Sequence, residues 1–200
     1  VILDTGKSIN GDKVIVTTGG KSFPTTGSDG SMYDVIKKYG HTITPIYPAL
    51  IPLVIKEEFV KNLQGIAMKD VHIQAKFKKK KFTHFGISGP AVLKISSYLN
   101  KALADGEVEV VLDFLKDRSK EELAQIIRSN SNRFVLNNLK GILPQNFLKQ
   151  IFEMLNLVEV KASDLKKEDE IKIIEYIKEM KLTARETLTI KAAQVTSGGV

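Results

Sequence analysis

Two short stretches carry the residue types that handle ligands. The first runs Val14-Ile15-Val16-Thr17-Thr18 into Gly19-Gly20 and on through Lys21-Ser22-Phe23-Pro24-Thr25-Thr26-Gly27-Ser28. Glycines at the end of an apolar run let backbone come close to a flat or charged ligand, and the amides of a Gly/Ser/Thr loop can cradle phosphate oxygens. A helix expected from near Ser31 would add its positive end. The competing reading is a plain turn. The second stretch is Phe82-Thr83-His84-Phe85-Gly86-Ile87-Ser88-Gly89-Pro90. His84 carries an imidazole, the side-chain type suited to proton exchange around neutral pH, which makes it the candidate catalytic residue, donating to a substrate or shuttling a proton. The alternative is a histidine that holds its own loop through backbone hydrogen bonds. Ser88, Gly89 and the helix start behind them suit an anionic group. His41 and His72 sit beside apolar neighbours without metal-ligand spacing and read as structural.

The basic run Lys78–Lys81, flanked by Phe77 and Phe82 and widened to Lys76–Lys81 for the nucleic-acid alternative, admits three readings. It is a hairpin tip or a charge-protected edge strand, a nucleic-acid contact, or a contact for an acidic partner or anionic substrate. The formal net charge is +7, yet among thirty basic residues only Arg118, Arg128, Arg133 and Arg185 carry the planar fork that reads guanine edges. A lysine-rich solvated surface is therefore the expectation, and a nucleic-acid partner is not. The absence of cysteine excludes a disulfide framework, thiolate chemistry and cysteine-ligated zinc, and fits a cytoplasmic protein. No Ser-His-Asp order, paired-carboxylate signature or metal-ligand spacing stands out. Tyr47 to Ile55, the most apolar stretch, is too short to cross a bilayer and is broken by Pro48 and Pro52, so no membrane association is expected. The chain opens on Val1 and stops on Ser197-Gly198-Gly199-Val200, which reads as a sequence continuing at both ends.

Positioning these residues calls for the following elements. Val1 to Leu3 and Lys13 to Thr17 read as strands of a hairpin turning at Asn10-Gly11. Tyr33, Val35, Ile36 and Tyr39 give a short helix that Gly40 ends. From Thr42 to about Asp113 the pattern is strand-like: Ile43, Ile46, the Leu50–Ile55 run, Val71–Ala75 and Glu107–Val111, interrupted by a short helix after Pro90. From Ser119 the period becomes helical. Ser119 with Glu122 is a capping box for a helix to about Arg128. Pro144 opens a helix with Phe147, Leu148, Ile151, Phe152 and Leu155 on one face, and a third follows with Ile171, Ile174, Ile177 and Met180. Strand character returns from Leu188 to Val195.

Several segments together resemble a known family. These are Thr17-Thr-Gly-Gly-Lys-Ser-Phe-Pro24, Thr26-Gly-Ser28, Gly40-His-Thr-Ile43, Pro48-Ala-Leu-Ile-Pro-Leu53, Gly65-Ile-Ala-Met-Lys-Asp-Val71, Phe82 to Pro90, and Gln194-Val-Thr-Ser-Gly-Gly-Val200. In this order they resemble the flavoproteins related to aminoacetone oxidase and 3-dehydro-bile-acid reductase, which are NAD(P)/FAD-dependent oxidoreductases. Members carry a Gly-rich dinucleotide fingerprint near the N-terminus and another FAD-contacting Gly-rich segment near the C-terminus, and this chain has neither. Where the family loop runs Thr-Gly-Ser-Thr-Gly-Asp-Gly-Tyr, this chain has Thr26-Gly-Ser-Asp-Gly-Ser-Met-Tyr33, so no flavin contact is carried onto Asp29. The stretch from Val71 to Phe82 is also shorter than the family's.

The resemblance implies an α+β fold: a small β-barrel-like body with a helical subdomain, plus edge segments of an FAD-binding α/β domain. Residues 1–41 would be the edge of the FAD-binding domain, 42–115 with 183–193 the barrel-like insert, 116–182 the helical subdomain, and 194–200 the return. It implies an internal fragment of an enzyme with FAD as cofactor, a small-molecule substrate, and the rest of the FAD-binding domain as partner. Gly19, Gly20, Lys21, Ser22, Thr196, Gly198 and Gly199 would lie beside FAD. The isolated piece should be inactive and bind FAD weakly, because the pyrophosphate-binding helix is missing.

Overall fold

The computed structural model describes residues 1–68, 71–77, 80–85 and 89–200, with the side chains of 77, 80–85 and 89–91 excepted. In chain order the regular elements are α1 (Met32–Lys38), β1 (Thr44–Ala49), β2 (Leu53–Ile55), β3 (His72–Phe77), β4 (Lys80–Phe85), α2 (Gly89–Ala104), β5 (Val108–Asp113), α3 (Lys120–Ile127), α4 (Val135–Asn138), α5 (Gln145–Met154), α6 (Lys167–Lys178), β6 (Met180–Thr187) and β7 (Val195–Gly199). The fold is α+β. Five antiparallel strands in the order β2-β6-β5-β3-β4 form the barrel-like body, open between β2 and β4 among the described residues. A separate ribbon pairs β1 with β7.

Strand alternation decides which face of the sheet is inside. Ile73 and Ala75 on β3, Val108 and Val110 on β5, and Leu182 and Ala184 on β6 are all buried and share one face by register. His72, Gln74 and Lys76 point the other way. Against the inner face lies α2, a helix of 16 residues, longer than the short helix expected after Pro90. Its buried face includes Ser96 and Asn100 beside Ile95 and Leu99, so the apolar period is interrupted and the helix reads shorter than it is. The two polar groups are satisfied: Ser96 Oγ donates to Leu93 O at 2.6 Å and accepts from Ile51 N at 3.0 Å, and Asn100 Nδ2 donates to Pro48 O at 3.3 Å.

The helices α3 to α6 continue the same core. The capping box forms as expected, with Glu122 N donating to Ser119 Oγ at 3.1 Å and Ser119 N to Glu122 Oε2 at 2.8 Å. On α5, Phe147, Leu148, Ile151 and Phe152 are each 1% exposed or less. On α6 the inward face is Ile173, Ile174 and Ile177, while Ile171, expected inside, is 46% exposed. The misreading has a cause: Glu170 and Lys178 are also buried, breaking the apolar stripe. Glu170 is held by Arg128 and Lys167, and Lys178 pairs with Asp113 at 2.8 Å.

Two further expectations are corrected. The N-terminal hairpin turns at Asp4-Thr5-Gly6, with Leu3 N donating to Lys7 O at 2.9 Å, because Gly6 supplies the positive φ (77°) and Asp4 Oδ1 accepts from Thr5 N at 2.8 Å. Lys13 to Thr17 gains no strand partner among the described residues, and Ile15 is left 86% exposed. The stretch from Leu188 is not a strand but a crossing that contains a 3₁₀ turn at Ile190–Ala192. There the chain leaves β6 for the other sheet, held by Leu188 N to Pro52 O (3.3 Å) and Gln194 N to Leu50 O (3.4 Å).

Candidate functional site

Thr196 on β7 joins the two glycine-bearing segments. Its hydroxyl oxygen accepts from Lys21 N at 2.9 Å and Ser22 N at 3.0 Å, and it lies 3.0 Å from Ser22 Oγ. Two incoming N–H groups use both lone pairs of the Thr196 hydroxyl, so Thr196 must donate to Ser22 Oγ. Ser22 therefore keeps its own proton for another acceptor. The amides of Lys21 and Ser22, which the sequence offered as a phosphate cradle, are spent inside this clasp.

The glycines make the clasp possible. A Cβ on Gly20 would stand 2.5 Å from Thr196 Oγ1 and 2.7 Å from its Cβ, which forces the two segments apart. Gly198, at φ 87°, passes directly over the carbonyl oxygen of Pro45 and leaves no room for a side chain. Gly199 is buried beneath the Tyr33 ring, where a Cβ would stand 3.4 Å from the phenol oxygen. It also exchanges hydrogen bonds with Thr44: its N donates to Thr44 Oγ1 at 3.0 Å, and Thr44 Oγ1 donates to its O at 2.9 Å. A side chain on Gly19 would run into Ser28 Oγ.

Gly20, Lys21 and Ser22 thus lie beside Thr196, Gly19 packs against Ser28, and Gly198 and Gly199 continue the strand of Thr196. Ser28 joins this cluster from the Gly/Ser/Thr loop, and Tyr33 and Thr44 join it without having been proposed as ligand-handling residues. Of those two, Tyr33 had a local signal, its place on the inner side of a short helix. Asp29 is engaged locally, accepting from Ser31 N at 2.9 Å, and this hydrogen bonding with Ser31 lowers its carboxyl pKa.

His84 falls on β4, opposite Ile73, and its side chain is outside the described ones. Ser88, Lys78 and Lys79 lie outside the described residues. Lys81 is the register partner of Lys76, whose ammonium stands 3.8 Å from Glu109. Among the described residues, no group of acids and histidines is placed to hold a metal, and no helix is long and apolar enough to cross a membrane.

An antiparallel barrel-like sheet continuous with a helical subdomain defines a known class, and the family model of the HI0933-like protein barrel and H2TH domain matches residues 47–195. The chain belongs to this family of flavoprotein oxidoreductases. It is 29% identical to the 3-dehydro-bile acid delta(4,6)-reductase of Clostridium scindens, over 100% of this chain and 52% of that protein. It is 28% identical to the ribosomal RNA dihydrouridine synthase of Escherichia coli, over 98% and 50%, and 29% identical to that of Haemophilus influenzae, over 94% and 47%. The chain spans about half the length of the curated relatives it matches.

Proposed function

We propose that the chain is the substrate-side portion of an FAD-dependent oxidoreductase, with Gly19, Gly20, Lys21, Ser22, Thr196, Gly198 and Gly199 lying against the flavin. The observation that carries this reading is the Thr196 clasp, which closes segments 175 positions apart into one side-chain-poor surface. Such a surface fits a flat aromatic ring system, and the Ser22 proton left over by the clasp supplies a donor at its edge. FAD, when bound, supplies the two-electron chemistry. The chain's own residues position it, shield it from water, and hand over a proton, for which His84 is the candidate.

In this reading residues 194–200 return to the FAD-binding domain, 116–182 form the helical subdomain, and the strands between form the insert. The pairing of β1 (Thr44–Ala49) with β7 supports placing the start of the insert, after residue 41, beside the returning segment 194–200. Ile2, Val14, Ile15 and Tyr39, all more than 60% exposed, supply apolar surface for the remainder of that domain to cover.

The substrate class follows from chemistry shared by the relatives' names. A 3-oxo group conjugated to 4,6 double bonds, and the uridine double bond that is absent from dihydrouridine, are both carbon–carbon double bonds conjugated to a carbonyl. We extend that class to this chain: hydride to the carbon remote from the carbonyl, proton to the adjacent one. A polynucleotide substrate is the second reading, favoured by the two relatives named for ribosomal RNA, with Lys76–Lys81 as the contact; it requires binding that weakens steeply with salt.

The test is flavin content. The full-length protein carrying this chain should purify yellow and release FAD on denaturation, and Gly20→Val should lower its flavin content severalfold. A colourless full-length protein, or unchanged flavin in Gly20→Val, overturns the reading.

A further inference from the structure

The outer face of the five-stranded sheet holds a cavity of about 430 Å³ that shares no residue with the glycine clasp. Register brings its floor together: His72, Gln74 and Lys76 from β3, Val111 and Asp113 from β5, and Lys181 from β6 lie on one face. The wall comes from the start of α3, with Lys120, and the end of α6, with Lys178 and Glu179.

Four ammonium groups face two carboxylates here, and their roles differ. Lys178 sits at the base, 8% exposed, with Asp113 at 2.8 Å and the carbonyls of Leu115 and Arg118 each at 2.6 Å. It is fully engaged in structure. Lys120 shares Glu179 at 2.7 Å with its head still half exposed, and Lys76 reaches Glu109 only at 3.8 Å. Lys181 is exposed and has no carboxylate within ion-pair distance among the described residues. Like charges gathered on one concavity repel unless an anion joins them.

We propose that this cavity binds a compact phosphate-bearing ligand, a phosphate monoester or a diphosphate, held by Lys181, Lys120 and Lys76 with Gln74 as a neutral donor. Lysine ammoniums are point charges with three donors each and suit a tetrahedral dianion. The neighbouring groove sets the size. Beyond Lys181 and Glu179 lies a cavity of about 270 Å³ lined by Glu57 and Glu175, and its carboxylates repel any anion extending that way. A long polyanion crossing this face would meet them, whereas a single phosphate or diphosphate would not. The proposal does not depend on flavin binding or on the reaction.

Titration of pyrophosphate and of adenosine monophosphate into the chain, followed through backbone amide NMR, tests it. Saturable shifts confined to residues 72–76, 109–113, 120 and 178–181 are expected. Lys181→Glu should raise Kd about tenfold. Lys149→Glu on α5, which changes net charge equally but lies elsewhere, should change it by less than about twofold. Lys181 makes no ion pair among the described residues, so the variant should melt with the parent chain, and its amide spectrum reports any fold loss directly. Absence of saturation by roughly 10 mM ligand, or equal weakening by the two variants, overturns the site. Tighter binding of oligouridine than of the mononucleotide, with shifts running on to Glu57 and Glu175, overturns the compact-ligand assignment in favour of a polynucleotide.

Discussion

The helix α5 and the segment Val14–Val16 have similarly apolar residues and opposite fates. Phe147, Leu148, Ile151 and Phe152 are essentially inaccessible, while Val14, Ile15 and Val16 are 62%, 86% and 46% exposed. The helix meets α4, α6 and the loop before β3 within its own chain and spends its apolar area there. The segment leads instead to Gly19 and Gly20, just beyond which Lys21 and Ser22 are held by one threonine at the far end of the sequence. One region is held by volume filled, the other by a few directed hydrogen bonds. Substitutions should therefore be felt very differently in the two.

The largest expected effect is Phe147→Ala, which leaves a cavity in the helical core and should lower unfolding free energy by about 3–5 kcal/mol in denaturant titration. Ile15→Ala should change it by less than about 0.5 kcal/mol. Comparable losses at both positions would erase the contrast. Next is Arg128→Ala, which leaves Glu170, 1% exposed, with Lys167 as its sole ionic partner among the described residues and should cost about 2 kcal/mol.

The same carboxylate sharpens the comparison through pH. Desolvation raises the Glu170 pKa, but hydrogen bonds from Lys167 and Arg128 and their charges outweigh it, and the net shift is downward from 4.5. A group whose folded pKa is depressed contributes stability that is complete above its unfolded value and is lost as pH falls through the folded one. Thermal melts of the helical core should fall with acid below about pH 4.5. Glu170→Gln should flatten that part of the profile.

Thr196→Val should cost about 1–2 kcal/mol locally. Its signature is faster amide exchange at Lys21 and Ser22 with an unchanged core melt, and a shift of the whole melting curve would contradict it. The smallest effect is Ser119→Ala, about 1 kcal/mol from the lost cap, read from the denaturation midpoint.

What the sequence disclosed follows the same division. The capping box of α3, Pro144 before α5 and the glycine ending α1 are local signals, and all three elements form where expected. Polar residues on buried faces hid the length of α2 and the true inner side of α6, because hydropathy alone cannot tell a satisfied buried Ser96 or Glu170 from a solvated one. The glycines of the candidate site were legible through resemblance. The clasp was not, since nothing periodic links Ser22 to Thr196, and neither was the pairing of Thr44 with Gly199.

Ala49 and Val195 are register partners at one end of the β1–β7 ribbon. Everything from 50 to 194 leaves and comes back through a gap no wider than a hairpin turn, pinned where Leu50 takes a positive φ (50°) under Gln194. The body is thus pluggable. Excising it and joining Ala49 to Val195 through Asn-Gly would leave a short hairpin of unaltered pairing, and a foreign module with adjacent termini could be seated in the same socket.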